Sequence, residues 1–596
     1  MSPLRYSIRP KHPAAHLFEV TLTLSDPDPA GQRFMLPVWI PGSYMIREFA
    51  RHIVTLKAKG EGRALQCEKI DKATWRCEAA SGAITLSYEV YAWDLSVRAA
   101  HLDQTHGFFN GASVFLLPLG REQAPCEVEI LPPAHDAVQQ AEAWRVATAL
   151  PRASAKEWGF GSYRARNYDE LIDHPVEMGC FSSASFTACA TPHHICISGK
   201  HSADLERLCR DVQKICEYQI GLFGAPAPME RYVFLVMAVG EGYGGLEHRA
   251  STALLCSRWD LPLAHEAKVS EGYRRLLGLV SHEYFHTWNV KRIKPQAFMA
   301  YDLARENYTR QLWAFEGLTS YYDDLTLVRS GLIDEHSYLE LLAENIGRVL
   351  AESARFKQSV AESSFDAWIK YYRADENAPN AVVSYYRKGA MIGLALDLLL
   401  RRDSGGKCSL DDVLRALWSE YGVKEIGVPE GGVEAMAERV SGLDLKQFFA
   451  RAVYGTEDID IAALFKDFAI DMTLRPASVK KAGDRIEASL GAKTGGGSDA
   501  VLLHVNDGGA AQRAGLSAGD VVMALDGLRV NAATLDKRIG SYAPQSCVVL
   551  SIFRRDELMT FKVTLLPQPA TTCVLMTRLE PAADKAARLA WLGAGP

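Results

Sequence analysis

His282-Glu283-Tyr284-Phe285-His286 is the stretch on which the reading of this 596-residue chain turns. At 3.6 residues per turn, positions i and i+4 stand one above the other on one helix face, so the two imidazoles can share a tetrahedral zinc. The glutamate between them reaches the water-filled fourth position of such a metal rather than the metal itself. Glu283 is therefore the candidate general base, taking a proton from that water and later delivering it to a leaving amine. The competing reading is an ordinary solvated helix on which His and Glu fall at this spacing by accident.

A zinc hydrolase normally holds its metal through three protein side chains and leaves one position open. Thirty residues after His286 stands Glu316, within Leu312-Trp313-Ala314-Phe315-Glu316-Gly317-Leu318-Thr319-Ser320-Tyr321-Tyr322. The apolar spacing of that segment predicts a buried helix, where an unpaired carboxylate is costly, which makes Glu316 the candidate third ligand. A local cap or salt bridge is the alternative. Other histidines fit a metal less well. His265-Glu266 is followed by no second histidine at the right spacing, and the adjacent His193 and His194 would face opposite sides of a strand.

Composition narrows the class. Hydrophobic residues make up 48 % and charged residues 23 %, as in ordinary globular proteins. A net charge of −6 with no long basic run argues against nucleic acid as a partner. The longest apolar run, Ala390–Leu400, is interrupted by Asp397 and is too short for a membrane span. The first residues lack the uninterrupted apolar core of a signal peptide, and the 12 cysteines form no CxxC pair. They read as reduced, mostly buried side chains, and the expectation is a cytoplasmic protein.

Along the chain, the length calls for about three or four domains. Residues 1–166 read as an N-terminal β-sandwich-like domain, with alternation along His16–Leu24 and Ala83–Trp93. Residues 167–400 read as a mixed catalytic domain. In it, Phe186–Ser198, Tyr232–Val239 and Thr252–Cys256 are expected strands, Ser202–Leu222 is an expected helix, and the HExxH helix should run from Glu271 to Trp288. Residues 401–478 continue in helical periodicity, with Ser409 and Asp412 as a partial capping box. Residues 479–568 form a glycine-rich unit of short strands, and residues 569–596 a tail whose short helix carries Leu589, Trp591 and Leu592. The fold class is multidomain α+β.

His282 through Pro295, together with Phe315-Glu316-Gly317-Leu318-Thr319-Ser320-Tyr321-Tyr322, resembles the glycyl aminopeptidase family of gluzincin metallopeptidases. The resemblance takes in Trp39-Ile40-Pro41-Gly42-Ser43-Tyr44, Gly244-Gly245-Leu246-Glu247-His248 and the C-terminal module, so it covers nearly the whole chain. It implies an N-terminal β domain, a thermolysin-like catalytic domain, a helical region, a PDZ domain and one zinc ion per chain.

Further sites follow from that resemblance. Gly244-Gly245-Leu246-Glu247-His248 is similar to the G-x-M-E-N loop of other gluzincin aminopeptidases, with Leu246 and His248 in place of Met and Asn. This implies that Glu247 binds the substrate's free α-amino group. The chemistry suits it: glycines let backbone approach a peptide closely, and a buried carboxylate pairs with an ammonium. Without the resemblance, Glu247 reads equally as a loop carboxylate. Tyr386, in Tyr385-Tyr386-Arg387-Lys388-Gly389, resembles the tyrosine of a Y-x-K-G element whose phenol steadies the tetrahedral oxyanion. Tyr385 is the open alternative. Ala511–Val522 followed by Asp526-Gly527 looks like the PDZ class of bacterial proteases. Within it Leu490, Gly491 and Ala492 are the candidate loop for a peptide's C-terminal carboxylate, with a purely structural module as the other reading.

The expected function is a zinc aminopeptidase acting on peptides with a free N-terminus, and the resemblance implies small first residues such as Gly or Ala. The rival readings are a PDZ-guided endopeptidase on the same zinc site and a non-catalytic PDZ peptide-binding protein.

Overall fold

The computed structural model describes residues 2–134, 137–138, 140–266, 268–495, 497–579 and 582–593. The chain divides into two compact units. The first holds residues 1–308, 322–333 and 414–429; the second holds 309–321, 334–413 and 430–596.

The first unit begins with a seven-stranded sheet. Its order is Gly161–Ala165, Cys126–Ile130, Leu4–His12, Leu17–Leu24, Ile84–Tyr91, Ile53–Gly60, Arg63–Leu65. Alternate side chains of the central strands point to one face, burying Leu4, Tyr6 and Ile8 on one strand and Phe18, Val20, Leu22 and Leu24 on the next. The Tyr6 and Tyr88 hydroxyls leave that apolar face satisfied, donating to the carbonyls of Leu116 at 2.9 Å and Val114 at 2.8 Å. A four-stranded sheet runs Leu117–Pro118, Arg33–Met35, Thr74–Cys77, Cys67–Lys69. From its strand Arg33–Met35 the chain continues into Leu36–Tyr44. That segment is tied down by Val38 N–H donating to Leu303 O and Trp39 Nε1–H donating to Asp302 O, both at 2.9 Å.

A five-stranded sheet follows, in the order Ser182–Ala188, Thr191–Ser198, Tyr232–Val239, Ser251–Ser257, Tyr243–Glu247. The expected single strand Phe186–Ser198 is in fact a hairpin. Cys189 and Ala190 form its two-residue turn with φ of 45° and 67°. Such a turn needs both central residues left-handed and is usually announced by Asn-Gly, so Cys-Ala gave no warning. The helix Leu205–Phe223 is capped by the Asp204 carboxylate, and the HExxH helix, Glu271–Phe285, by Ser270. The latter stops three residues short of Trp288. Val290, a β-branched residue at φ 115°, turns the chain away and brings the Asn289 carbonyl back toward His286.

In the second unit, Trp313–Gly317 is a π-helical turn. It crosses the start of the helix Arg387–Asp403 at two glycines. A Cβ on Gly317 would stand 2.5 Å from Gly389 Cα and 2.8 Å from the Tyr385 carbonyl oxygen, so only glycine permits this approach. The glycine-rich unit that follows has its own core, with Leu502, Val522, Leu525, Leu535 and Leu550 among its buried residues. After it, Thr572–Thr577 pairs with Ile470–Arg475, and the helix Ala582–Trp591 docks beside it. Trp591 is fully buried and its Nε1–H donates to the Tyr321 hydroxyl at 2.8 Å. Among the described residues no helix is long and apolar enough to cross a membrane.

Candidate active site

His282 and His286 stand one turn apart, with their Nε2 atoms 3.1 Å from each other and their rings at 83°. What aims them is the opposite edge of each ring. His286 Nδ1–H donates to the Asn289 carbonyl at 2.7 Å, and His282 Nδ1 lies 3.0 Å from the Asp323 carboxylate. With Nδ1 carrying the proton, each Nε2 turns a lone pair toward the same point. Two lone pairs held so close repel unless a cation lies between them. A tetrahedral zinc with bonds of about 2.0–2.1 Å to nitrogen has ligand–ligand edges of about 3.3 Å, close to the spacing found. Glu316, buried at 2 % exposure, completes the donor set: the ligand atoms of His282, His286 and Glu316 all lie within 4.8 Å of one another. Two imidazoles and a carboxylate in this arrangement fit a zinc ion. Asp323 and the Asn289 carbonyl escaped the sequence reading. Asp323 was findable as the residue seven positions after Glu316, two turns along the same helix face.

Glu283 is buried and pressed against the edge strand Tyr243–Glu247. A Cβ on Gly245 would fall 2.0 Å from its Oε1, so glycine at 245 is what admits the carboxylate. This strand pairs with Ser251–Ser257 on one side, and among the described residues no strand covers its other flank. On that flank the Gly245 carbonyl accepts from the Arg98 guanidinium at 3.3 Å. At the strand's end Glu247 is 3 % exposed, and its Oε1 has no hydrogen-bond partner. Gly42, at φ 95°, closes over that carboxylate; a Cβ there would meet Oε1 at 2.6 Å and Oε2 at 2.7 Å. The stretch Trp39–Tyr44, noted in sequence only as part of a resemblance, is therefore a wall of the Glu247 site. An oxygen buried this way is costly until a donor or cation reaches it.

Next to Glu247 lies a charged cluster. Asp173 sits 2.5 Å from Lys291 Nζ and accepts from the Arg249 backbone N–H at 2.9 Å. Burial works to raise the Asp173 carboxyl, but Lys291 and Arg249 outweigh it and hold it well below the usual carboxylate range. His248 packs 3.6 Å from the same carboxylate, and burial pushes its imidazole down.

In the second unit, Tyr385 is fully buried whereas Tyr386 is partly exposed. The Tyr386 hydroxyl lies 3.0 Å from that of Tyr372. Burial first, then the Glu316 charge, pushes the Tyr386 phenol well up, so it stays an O–H donor at neutral pH. In the PDZ domain, Leu490 is buried in the core, Gly491 has φ 68°, and Ala492 opens the edge strand Ala492–Gly495. The carbonyls of Leu490 and Gly491 accept from Ala511 and Asn506 N–H groups, which fixes the shape of this loop.

An HExxH helix packed on the edge of a five-stranded sheet, with an N-terminal β domain, a helical region and a C-terminal PDZ domain, defines the class: a peptidase. The chain belongs to the M61 glycyl aminopeptidase family. Residues 5–180 match the peptidase M61 N-terminal domain, 275–392 the M61 glycyl aminopeptidase, and 477–565 a PDZ domain. The crystal structure of an aminopeptidase N family protein from Idiomarina loihiensis is 41 % identical over 99 % of this chain and 100 % of that one, with a TM-score of 0.94. An M1 zinc metallopeptidase from Deinococcus radiodurans, in a mutant bound to a Tyr-Ser-Ala substrate, is 13 % identical over 77 % of this chain and 94 % of its own, with a TM-score of 0.46. A further crystal structure of an M1 zinc metallopeptidase from Deinococcus radiodurans is 11 % identical over 77 % of this chain and 95 % of its own, with a TM-score of 0.48. Likeness at that level carries nothing further. Comparison with curated proteins finds no match.

Proposed function

We propose that this protein is a zinc-dependent aminopeptidase that removes N-terminal residues, small ones such as Gly or Ala, from peptides. The observation that supports it most is Glu247: a buried carboxylate with an unpartnered oxygen, on the same short strand whose Gly245 touches Glu283. A substrate ammonium would satisfy that oxygen through a charge-assisted hydrogen bond. Binding the amine at one end of the strand fixes which peptide bond reaches Glu283. Gly42 against the Glu247 carboxylate walls the space beyond the amine, which favours a small first side chain.

A zinc ion held by His282, His286 and Glu316 would supply a Lewis acid for the scissile carbonyl and lower the pKa of a water beside it. Glu283 takes a proton from the attacking water and passes it to the leaving nitrogen. Tyr386 donates its O–H to the carbonyl oxygen as negative charge builds there, a contribution of about 3 kcal/mol where one such donor has been removed from other enzymes. The substrate backbone lies along the flank of Tyr243–Glu247 that no described strand covers, and the edge strand Ala492–Gly495 offers the PDZ domain strand addition for a C-terminal peptide.

The test compares alanine anilide and alanyl peptides with their N-acetylated forms, with and without chelator. We expect acetylation to lower kcat/KM by on the order of 100-fold or more, the loss of a hydrogen-bonded charge pair, and the chelator to abolish turnover. Equal cleavage of acetylated and free peptides would replace this reading with endopeptidase action guided by the PDZ domain.

A further inference from the structure

The 12 cysteines read in sequence as reduced, mostly buried side chains, but two of them face each other. Cys67 and Cys77 are directly opposed on the antiparallel strands Cys67–Lys69 and Thr74–Cys77. The hydrogen bond from Glu78 N–H to Gln66 O brackets them, which makes them a non-hydrogen-bonded pair. In such pairs the Cα atoms stand about 4.5 Å apart, within the span of about 4.4–6.8 Å that disulfides bridge. The side chains already meet: the Cys77 thiol donates to the Cys67 sulfur at 2.8 Å. Cys77 is buried and Cys67 partly exposed, so one sulfur is within reach of a small reagent while the other waits beneath it.

We propose that Cys67 and Cys77 are a thiol–disulfide site, closed by a small-molecule disulfide such as oxidised glutathione and reopened by thiols. The Cys67 thiolate attacks one glutathione sulfur, breaking that S–S bond and releasing one glutathione thiolate, which takes up a proton. Cys77, giving its proton to solvent, then attacks the Cys67 sulfur and expels the second glutathione as a thiolate, which is protonated in turn. Two protein thiols are oxidised and one glutathione disulfide is reduced to two thiols. The hydrogen bond from Cys77 lowers the Cys67 thiol against the opposing effect of burial, in keeping with Cys67 as the first nucleophile. The closed loop is short and lies at a sheet edge, so the bridge staples the edge strand Cys67–Lys69 to its neighbour.

The experiment incubates the full-length native protein with oxidised glutathione, blocks the remaining thiols and digests with trypsin. Lys69, Lys72 and Arg76 lie between the two cysteines, so closure joins two otherwise separate peptides. We expect that joined peptide, lighter by two hydrogens than the sum of its parts, in protein that stays monomeric on a non-reducing gel. Reductant should remove it, and Cys67→Ser should abolish it. The exposed Cys180, Cys189 and Cys547 provide the internal comparison. If they gain glutathione while Cys67 and Cys77 are recovered as separately blocked peptides, the proposal is overturned. A stable glutathione adduct on Cys67, or a bridge between two chains, overturns it equally.

Discussion

Two clusters among the described residues bring three metal-ligand atoms within 4.8 Å: His282, His286 and Glu316, and His101, Asp103 and His106. They differ in what holds the imidazoles. In the first, the Nδ1 edges face Asn289 O and Asp323, and the rings meet at 83°, so their Nε2 lone pairs converge. In the second, the rings are stacked at 4.8 Å and 14°, so their lone pairs lie in two nearly parallel planes, one above the other. His106 Nδ1 lies 3.2 Å from Glu177 Oε1. Burial acts to depress the His106 imidazolium, but the Glu177 charge outweighs it and lifts it. Burial and the His106 charge push His101 down to about 4. The second cluster thus has a carboxylate behind it that favours the protonated form of one of its own imidazoles. Asp103 meanwhile accepts from the Thr105 and His106 backbone N–H groups and the Thr105 hydroxyl, as a turn residue does. Ligand types within reach do not make a metal centre; the groups behind the ligands decide it.

Three measurements would break or sharpen this contrast. The largest effect is expected at the first cluster: Glu283→Gln should lower kcat by about 10²–10⁴-fold while metal analysis still finds one zinc per chain, since Glu283 moves a proton and does not ligate. Loss of zinc in that variant would return Glu283 to the ligand set. An intermediate effect is expected behind the ligands. Asp323→Asn should weaken zinc binding by about 10–100-fold, read by competition with a chelating dye. An unchanged affinity would remove Asp323 from the account of how His282 is aimed.

The smallest effect is at the second cluster. His106→Gln should leave zinc at one per chain and cost about 1–3 kcal/mol of stability. Its pH dependence has a definite sign. A histidine whose folded value is raised contributes stability that is fully present below its ordinary value of about 6.5 and is lost as pH rises through the folded value. The penalty of His106→Gln, measured by denaturant unfolding, should therefore be larger at pH 6 than at pH 9. A fall in zinc content would instead make the second cluster a metal site.

Much of this was legible in the chain. The i, i+4 spacing of His282 and His286 placed both on one helix face, and the expected start of that helix at Glu271 is where it begins. The hairpin within Phe186–Ser198 was not legible, because Cys189-Ala190 carries no turn chemistry. The part of Gly42 was hidden as well. Besides its φ of 95°, what excludes a side chain there is the Glu247 carboxylate, far away along the chain. Register to Lys388-Gly389 favours Tyr386 over Tyr385 in the sequence, but that Tyr385 is fully buried and Tyr386 partly exposed is a matter of packing.

What the amino-acid order determined by itself was local: strand alternation, helix periodicity, caps, and the pair of imidazoles one turn apart. These follow from backbone geometry repeating over a few residues. Tertiary structure alone decided which distant groups meet: Asp323 behind His282, Gly42 over Glu247, Gly317 against Gly389, and Cys77 beside Cys67 rather than solvent. Side-chain packing and burial choose those partners, and neither is written in the spacing of a single segment.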